Sequence, residues 1–577
     1  MSDAFVLGLT ALIPSRLLAN YAGRLGISRW RYTGVRDLPR LLVTVTAGSL
    51  VFATVSWAMP WVPPIPRSVF LLEWMLTGYF IATMWLTYRL GFEVIRAGRA
   101  SHRTRVLVVG AGDAGQHLIN QMFRSESGLW PVAVVDDNPF RWGTLVHGVE
   151  VVGAVRDVAA IAGDVEAEQV VIAVPSASPA ALRTIVEACE GAGLPMKILP
   201  GVEEVLAGDV ELGHLRNVEV EDLLGRDPVR LELPELAQDL AGKRVLITGA
   251  AGSIGSELSR QVAANRPEAL LLFDQAETPL YFLELEIRKA YPDVPIQAVV
   301  GSVTHADTLA ATFGGFRPDR VFHAAAYKHV PMMQDNPWEA VRTNVLGTYR
   351  VARAAADCGT EAFLLISTDK AVRPTNVMGA SKHLAERVVM HLQARHPALV
   401  MRAVRFGNVL GSNGSVIPVF RQQLERGEPL TVTDEAVTRY FMTIPEAVRL
   451  VLQTSVLEES RGRIAMLDMG EPMRILDLAR SLLRLAGRPF RLGETVVITG
   501  LRPGEKLHEE LSAPEERSQE TRVPRVSVLE TPPEFAELPF EIRRALAEED
   551  IEVLVDFLYS VAPLVHHAPS RAEAVQA

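Results

Sequence analysis

Residues that could transfer protons follow directly after a run that reads as a buried strand. This run ends at Thr368, and an adjacent carboxylate and amine, Asp369 and Lys370, come next. Ligands of open parallel sheets bind beyond the carboxyl ends of strands, so these side chains should face a crevice and could exchange protons there. Met378 and Lys382 follow four residues apart. Positions i and i+4 share one helix face, which predicts that both point into the same site.

A glycine-rich turn after the strand-like run 244–248 could hold the phosphates of a dinucleotide. Its glycines allow a tight turn and the close approach of a phosphate to the following helix N-terminus. Asp274 ends the next strand, 19 residues after Gly255, and no arginine follows it closely. This pattern favours the free ribose 2′-hydroxyl of NAD over the 2′-phosphate of NADP. The predicted cofactor contacts are Gly249, Gly252, Ser253, Ile254, Gly255, Asp274, Ala324, Ala325 and Lys382.

A second glycine-rich turn lies earlier in the chain and has a different spacing. Gly110, Gly112 and Gly115 follow a strand-like run, and Asp136 ends the next strand 21 residues after Gly115. The order strand, turn, helix, strand, acid is typical of a dinucleotide fold. The turn either forms a second nucleotide site or merely connects a strand to a helix, and the sequence leaves both interpretations open.

Length and strand pattern predict several α/β domains. At roughly 150 residues per domain, 577 residues allow three or four units. The fold class expected is α/β, with N-terminal transmembrane helices followed by two Rossmann-like doubly wound parallel-sheet domains. The predicted boundaries are a membrane anchor 1–100, a first Rossmann-like domain 101–225, a connector 226–242, an NAD-binding domain 243–515, and a C-terminal helix and tail 516–577.

The apolar residues are concentrated near the start of the chain. Two runs, 41–62 and 68–90, are long enough to cross a hydrocarbon core of ~30 Å, and segment 4–22 is expected to be interfacial or a partial span. Glu73 should then lie at the interface. Arginine-rich flanks predict a hairpin in the lipid bilayer with all later residues in the cytoplasm. The expectation is a multi-pass protein of the cell inner membrane with cytoplasmic catalytic domains, and the alternative is a pair of buried core helices.

Charge and cysteine content exclude two kinds of function. The chain has 58 Lys+Arg and 68 Asp+Glu, a net charge of −10, so we expect no nucleic-acid partner. Its two cysteines, Cys189 and Cys358, are too few and too scattered for a disulfide framework or a zinc site, and no metal is expected.

Four longer motifs are similar to a known family. STDKAVRPTNVMGASK (367–382), HAAAYKHVP (323–331), RFGNVLGSNGSVIP (405–418) and LRPGEKLHEE (501–510) resemble the CapD-like polysaccharide-biosynthesis proteins. These are membrane-bound, long-form UDP-N-acetylglucosamine 4,6-dehydratases, which are extended short-chain dehydrogenase/reductases with a small C-terminal substrate subdomain. The resemblance covers about residues 29–515. It implies a redox-neutral dehydration, in which NAD takes the C4 hydride, water leaves from C5 and C6, and the hydride returns to C6.

The resemblance also implies roles for individual residues. Met378 stands where most of the superfamily has a proton-transferring tyrosine. Asp369 would be the acid/base at the C4 hydroxyl or the leaving C6 oxygen. Lys370 would be the C5 base, provided that burial lowers its pKa. Lys382 would bind the nicotinamide ribose, and Thr368 would hydrogen-bond the sugar C4 oxygen.

Substrate contacts are expected further along the chain. By resemblance, Asn408 contacts the nucleotide diphosphate, and Arg439, Arg502 and Glu505 contact the uridine and phosphates of a UDP-sugar. Two alternatives remain open, a nucleotide-sugar epimerase of the same fold and a non-catalytic NAD-binding membrane regulator. Met378 argues against the usual 4-epimerase. Extended members of the superfamily often pair through two helices, so a homo-oligomer is also an open expectation.

Overall fold

The computed structural model describes residues 3–22, 38–58, 65–100, 103–124, 127–199, 213, 215–219, 222 and 234–562. Two compact units are present. The first comprises Met1–Gly153, Ile161–Ala173 and Asp209–Gly213, and the second comprises Ala154–Ala160, Val174–Gly208 and His214–Ala577. The predicted connector 226–242 is described from residue 234 onward, and the predicted C-terminal tail lies outside the described residues beyond 562.

Three helices begin the first unit, and a half-buried polar network joins them. The Arg16 guanidinium donates from Nε to Glu73 Oε1 at 2.7 Å and from a terminal nitrogen to the carbonyl oxygen of Val45 at 2.7 Å. The hydroxyl of Ser49 donates to Glu73 Oε2 at 2.9 Å. The three helices are α1 Asp3–Ala22, α2 Leu38–Ala58 and α3 Arg67–Ala100.

The membrane prediction is wrong. Among the residues that the structure describes, no helix has the length and apolar character needed to cross a membrane. The predicted spans 41–62 and 68–90, and the partial span 4–22, are therefore not supported as membrane segments. The physical reason lies in polar groups that a count of charges overlooks. Hydroxyl side chains recur along α2, and Glu73 contacts Arg16 between the helices instead of lying at an interface. The multi-pass location at the cell inner membrane rested on these spans and is wrong on the same finding.

A parallel sheet follows in the first unit. Strand β1 pairs in parallel with both β2 and β5, β2 pairs in parallel with β4, and β3 pairs antiparallel with β4. Four consecutive residues of β1, from Val106 to Val109, are fully buried, as expected for a central strand covered on both faces. The elements are β1 Thr104–Val109, α4 Asp113–Arg124, β2 Leu129–Val135, β3 Leu145–Val146, β4 Val149–Gly153 and β5 Gln169–Ile172.

Two helices and two strands complete the described elements before the main sheet of the second unit, and the first of these helices, α5, lies between β4 and β5. Strands β6 and β7 pair antiparallel. The elements are α5 Val158–Asp164, α6 Pro179–Glu190, β6 Met196–Ile198 and β7 Arg216–Asn217.

The second unit contains a nine-stranded sheet in the order β10-β9-β8-β11-β12-β13-β18-β22-β21. The first seven strands in this order are parallel, and β22 and β21 extend the sheet antiparallel. The strand order reverses between β8 and β11, the position at which open α/β sheets bind ligands. The strands are β8 Arg244–Thr248, β9 Ala269–Asp274, β10 Ile296–Val300, β11 Arg320–His323, β12 Ala362–Ile366, β13 Val400–Arg405, β18 Ile464–Leu467, β21 Arg517–Glu520 and β22 Val526–Glu530.

Helices cover both faces of this sheet and enclose two apolar cores. Six residues of π-helix, Val341–Leu346, precede α13, and the C-terminal helix α20 packs against α14. The helices are α7 Pro234–Leu240, α8 Ser253–Ala264, α9 Glu277–Ala290, α10 Ala306–Phe316, α11 Val330–Asp335, α12 Pro337–Ala340, α13 Gly347–Asp357, α14 Val377–Arg395, α15 Val416–Glu425, α16 Ile444–Ser455, α17 Ile475–Leu485, α18 Pro533–Ala536, α19 Phe540–Glu548 and α20 Ile551–Val561.

A smaller substructure is formed by two segments of the chain, one between β13 and β18 and the other after β18. It has its own apolar core, formed mainly by residues of α15 and α17. Its strands pair two by two, β14 with β17, β15 with β20 and β16 with β19. They are β14 Asn408–Val409, β15 Leu430–Val432, β16 Thr438–Arg439, β17 Phe441–Met442, β19 Met473–Arg474 and β20 Val496–Ile498. The Rossmann-like α/β part of the predicted fold class is thus confirmed.

Candidate functional site

The glycine turn between β8 and α8 lies at the reversal of strand order. Gly249 has a φ of +67°, and a Cβ on it would lie 2.5 Å from the backbone nitrogen of Ala325 and 2.7 Å from the carbonyl carbon of Ala324. A Cβ on Gly255 would overlap the carbonyl oxygen of Gly249. Both positions therefore require glycine, and the turn is compact enough for a phosphate to reach the N-terminus of α8.

The residues around this turn fit a dinucleotide without a 2′-phosphate. Asp274 ends β9, and its carboxylate accepts hydrogen bonds from the backbone nitrogens of Ala251 and Ala276, both at 2.9 Å. Gly252 and Ser253 begin α8, where Gly252 is the N-cap residue. The half-buried side chain of Ile254 packs against the core behind the turn. An acid beside the glycine turn, with no arginine in 275–284, corresponds to NAD, which is the cofactor that this site fits.

A short turn follows β12, and we call it the 368–371 turn. It contains Thr368, Asp369 and Lys370. Asp369 is fully buried, and its Oδ1 accepts hydrogen bonds from the Thr368 hydroxyl at 2.8 Å and from Lys370 Nζ at 3.0 Å. Its other oxygen, Oδ2, is buried and has no hydrogen-bond partner among the residues that the structure describes. A buried carboxylate oxygen without a donor is costly, so this atom has unused hydrogen-bonding capacity.

The Lys370 ammonium is surrounded by three acceptors. Besides Asp369, its Nζ donates to Asn408 Oδ1 at 3.0 Å and lies 3.7 Å from Glu509 Oε1. Burial alone would lower the pKa of Lys370, but the charges of Asp369 and Glu509 outweigh burial and raise the pKa above its ordinary value. The condition attached to Lys370 as a C5 base, a lowered pKa, is therefore not met in this structure. Asn408 contacts Lys370 here, and its expected contact with the diphosphate stays a prediction.

Helix α14 places Met378 and Lys382 beside this turn. Asn376 caps the helix by accepting a hydrogen bond from the backbone nitrogen of Gly379 at 2.8 Å. The Met378 side chain is buried, and Lys382 Nζ donates to the carbonyl oxygen of Ile366 at 2.6 Å. Burial lowers the pKa of Lys382 to about 8, and Glu386, one helical turn further on, opposes this shift.

Three of the four predicted substrate residues lie on β16 or on the segment 502–510, which we call the 502–510 loop, and the fourth, Asn408, lies on β14. Arg439 is buried and donates to Glu505 Oε1 at 3.0 Å. Glu505 also accepts from the backbone nitrogen of Arg502 at 3.2 Å, whereas Arg502 is itself exposed. Arg439 Nε lies 3.8 Å from Glu509 Oε1. The structure thus brings Arg439 and Lys370 close to one carboxylate, Glu509, which the sequence did not single out.

A buried ion-pair network lies directly behind the 368–371 turn. Arg405, 1% exposed at the end of β13, makes bidentate contacts with Glu386 and reaches Glu516 at 2.7 Å. The hydroxyl of Ser367 donates to Glu386 Oε1 at 2.6 Å. Burial alone would lower the pKa of Arg405, but the two glutamates raise it above its ordinary value. The network joins β12, β13 and α14 at the base of the site.

The glycine turn of the first unit has a similar geometry. A Cβ on Gly115 would overlap the carbonyl oxygen of Gly110, and Asp136 accepts from the backbone nitrogen of Ala111 at 2.7 Å. Unlike Asp274, Asp136 also pairs with an arginine, Arg141, at 2.9 Å. Burial would raise the pKa of Asp136, but these hydrogen bonds lower it below its ordinary value. Gly112 lies in the same turn, and nucleotide binding by this unit stays a prediction.

Comparisons with known proteins agree with this geometry. A family model described as "Polysaccharide biosynthesis protein" matches residues 245–531, and one described as "CoA-binding domain" matches residues 26–200. The chain is similar to the capsular polysaccharide biosynthesis protein CapD of Staphylococcus aureus, with 40% identity over 516 residues, covering 88% of this chain and 85% of the relative.

Shorter matches concern the second unit. A UDP-glucose 4-epimerase of Rickettsia canadensis is 34% identical over 284 residues, covering 48% of this chain and 80% of the relative. A UDP-N-acetylglucosamine 4,6-dehydratase (inverting) of Campylobacter jejuni is 31% identical over 271 residues, covering 46% of this chain and 76% of the relative. From the match across 85% of CapD, the chain belongs to the CapD-like polysaccharide biosynthesis family, and it is a short-chain dehydrogenase/reductase of the nucleotide-sugar dehydratase and epimerase type.

Proposed function

We propose that this chain is an NAD-dependent nucleotide-sugar 4,6-dehydratase. It would convert UDP-N-acetylglucosamine to its 4-keto-6-deoxy derivative for the synthesis of a surface polysaccharide or glycan. The observation that carries the proposal is the fully buried Asp369, which has one oxygen bound by Thr368 and Lys370 and the other, Oδ2, without a partner. The similarity to a UDP-N-acetylglucosamine 4,6-dehydratase supports the choice of substrate.

Asp369 is the group that exchanges protons with the sugar. Its unpartnered Oδ2 accepts the proton of the C4 hydroxyl and later delivers a proton to the oxygen that leaves C6. Thr368 holds the opposite oxygen and so fixes the direction of Oδ2. When bound, NAD supplies the redox chemistry by accepting the C4 hydride and returning it to C6. Met378 cannot transfer a proton, so the tyrosine chemistry of most superfamily members is not available to this chain.

Lys370 becomes a base in this scheme after Asp369 has been protonated. The carboxylate charge of Asp369 is one of the two that hold the pKa of Lys370 above its ordinary value. A proton on Asp369 removes that charge, and burial then favours the neutral amine. Lys370, whose side chain is 18% exposed, would release its ammonium proton to solvent and then remove the proton at C5. It would return that proton to C5 when the hydride adds to C6, and it would regain its own proton from solvent at the end of the cycle. The order of events, oxidation before elimination, would follow from this coupling of two neighbouring groups.

The test is turnover of UDP-N-acetylglucosamine by the full chain, followed by proton NMR. A new C6 methyl doublet with a 4-keto or hydrated C4 supports the dehydratase. Conversion to the C4 epimer alone would replace it by the epimerase suggested by the Rickettsia relative. Retained NAD with no product, across several UDP-sugars, would replace it by a non-catalytic NAD-binding protein.

Variants test the assignment of roles. Asp369→Asn and Lys370→Ala should abolish turnover and retain NAD. The matched controls are Asp239→Asn and Lys243→Ala, which remove a carboxylate and an amine from ion pairs with Arg320 at 2.6 Å and Glu361 at 2.8 Å, outside the site. The controls should keep wild-type turnover. Normal activity in Asp369→Asn or Lys370→Ala would contradict the assigned roles.

A further inference from the structure

Glu509 is a buried carboxylate with unused hydrogen-bonding capacity. Its side chain is 5% exposed, and within the described part of the chain its Oε2 has no hydrogen-bond partner. Its Oε1 lies 3.7 Å from Lys370 Nζ and 3.8 Å from Arg439 Nε, which are ion-pair distances too long for hydrogen bonds. Burying a carboxylate in this way is costly unless donors complete its shell. The two neighbouring cations balance its charge but leave the hydrogen bonds to be made by something else.

The backbone around Glu509 is fixed by contacts to the segment that follows the 368–371 turn. The carbonyl oxygen of Gly504 accepts hydrogen bonds from Thr375 at 2.8 Å and Asn376 at 3.1 Å. Lys506 Nζ donates to the carbonyl oxygen of Val372 at 2.8 Å. The 502–510 loop is therefore held on both sides of Glu505, and the position of Glu509 is built into the site.

The residues on either side of Glu509 indicate which part of a bound sugar nucleotide would lie beside it. On one side is Lys370, which with Asp369 acts at C4, C5 and C6 in the proposed reaction. On the other side is Arg439, which lies at the proposed diphosphate end, and the diphosphate is attached to C1. The ring atoms between these two ends are C2 and C3. In UDP-N-acetylglucosamine these atoms carry an amide N–H and a hydroxyl, and both groups are hydrogen-bond donors.

We propose that Glu509 is a substrate-binding residue that accepts a hydrogen bond from a donor on C2 or C3 of the hexose. The inference rests on the proposed function and adds a specificity contact to it. Asp369 Oδ2 and Glu509 Oε2, both buried and unpartnered, then receive donors from neighbouring positions of one ring. The carboxylate favours a sugar with a donor at that position and disfavours a deoxy position, which would leave it buried and unpaired.

The experiment compares Glu509→Gln with the wild-type full chain, with NAD present. The measured quantities are the inhibition constant of UDP and the KM and kcat for UDP-N-acetylglucosamine. The wild-type inhibition constant for UDP is measured first, since UDP lacks the sugar and reports the nucleotide end alone. Loss of the charged acceptor should raise the KM for the sugar nucleotide about tenfold or more and leave UDP inhibition within about twofold.

Two further variants separate a contact from a folding defect. Glu510→Gln removes the neighbouring acid, whose side chain is 36% exposed. It should leave unchanged the ratio of the KM for UDP-N-acetylglucosamine to the inhibition constant of UDP. Glu509→Asp keeps the charge on a shorter side chain and should give an intermediate loss. Circular dichroism of each variant monitors the fold, and the ratio of constants is insensitive to the fraction of active protein.

Several results would overturn the inference. Equal weakening of UDP and of the sugar nucleotide in Glu509→Gln would mean that Glu509 acts through Arg439, and unchanged constants would mean that it makes no contact. UDP-2-deoxyglucose and UDP-3-deoxyglucose, measured as inhibitors, identify the donor. The analogue that lacks the donor contacted by Glu509 should inhibit wild type and Glu509→Gln with equal constants. If both analogues still bind wild type more tightly than Glu509→Gln, by the same factor as the complete sugar nucleotide, the proposal is contradicted. If wild type binds neither UDP nor the sugar nucleotide, the proposed function fails together with the inference.

Discussion

Replacing Arg405 by methionine should reveal how strongly the buried network behind the site supports the second unit. The substitution keeps the apolar part of the side chain and removes the guanidinium that contacts Glu386 and Glu516. Glu386 is fully buried and Glu516 is 8% exposed, so both carboxylates would lose their main counter-charge inside the protein. Removing one partner of a buried ion pair costs about 3–5 kcal/mol, and we expect this loss in the free energy of unfolding at pH 7.

A second buried arginine on the same strand provides the control. Arg402, 5% exposed, donates to the Ser460 hydroxyl at 2.8 Å and to the carbonyl oxygen of Leu457 at 3.3 Å, without a carboxylate in contact. Burial lowers its pKa to about 10. Arg402→Met removes a desolvated cation and two hydrogen bonds, so its cost should be about 1–2 kcal/mol. The comparison separates the loss of a counter-charge from the loss of a large side chain.

Urea unfolding of the full chain, followed by circular dichroism at several pH values, measures both effects. Arg405→Met leaves two buried carboxylates without a counter-charge, so its cost is largest at neutral pH, where carboxyl groups are ionised. It decreases as pH falls and they bind protons, and the deficit of Arg405→Met should therefore shrink towards pH 5, whereas that of Arg402→Met stays constant. Equal losses for the two variants, or a deficit of Arg405→Met that does not change with pH, would refute the reasoning.

Two further predictions concern the cofactor side of the site. Because burial lowers the pKa of Lys382 to about 8 from 10.5, the unfolded chain binds more protons between these values, and the free energy of unfolding should rise by about 3 kcal/mol from pH 8 to pH 10.5. Lys382→Met should lack this rise in urea titrations, and an identical pH profile would contradict it. Gly249→Ala should lose bound NAD, measured by absorbance after denaturation, because its Cβ would lie 2.5 Å from Ala325. Gly242→Ala has the same φ of +67° and open space around the new methyl, so it should keep NAD, and equal NAD loss would assign the effect to backbone strain.

The regular parts of the second unit were predictable because they depend on local patterns. The glycine spacing and Asp274 predicted a glycine-rich turn between a strand and a helix, and the structure places this turn at the reversal of strand order. That Thr368, Asp369 and Lys370 face a ligand crevice stays a prediction. The raised pKa of Lys370 was only partly predictable, since it depends on Asp369, adjacent in the sequence, and also on Glu509, which is far away in the sequence. The LRPGEKLHEE motif contains both Glu509 and Glu510, and a loop without periodicity gives no indication which of them is buried.

The error at the N-terminus has a different cause. The run 41–62 contains no charged residue, and counting charges predicted a membrane span. Glu73 was assigned to an interface because a linear sequence shows its distance from Arg67 but not its contact with Arg16 in another helix. Hydroxyl groups on α2, such as that of Ser49, complete a polar network that becomes visible when the three helices are placed together.

The contacts between the 502–510 loop and the segment after the 368–371 turn also affect the order in which the protein matures. Lys506 and Val372 are 134 residues apart, so the 368–371 turn is synthesised long before the loop that contacts the segment after it. Both belong to one compact unit, and a domain generally folds as a unit. A nascent or truncated chain that ends before residue 500 lacks the contacts that hold this segment, and it also lacks Glu509 and the sugar contact proposed for it. Most of the chain must therefore be synthesised before the proposed sugar site can be assembled.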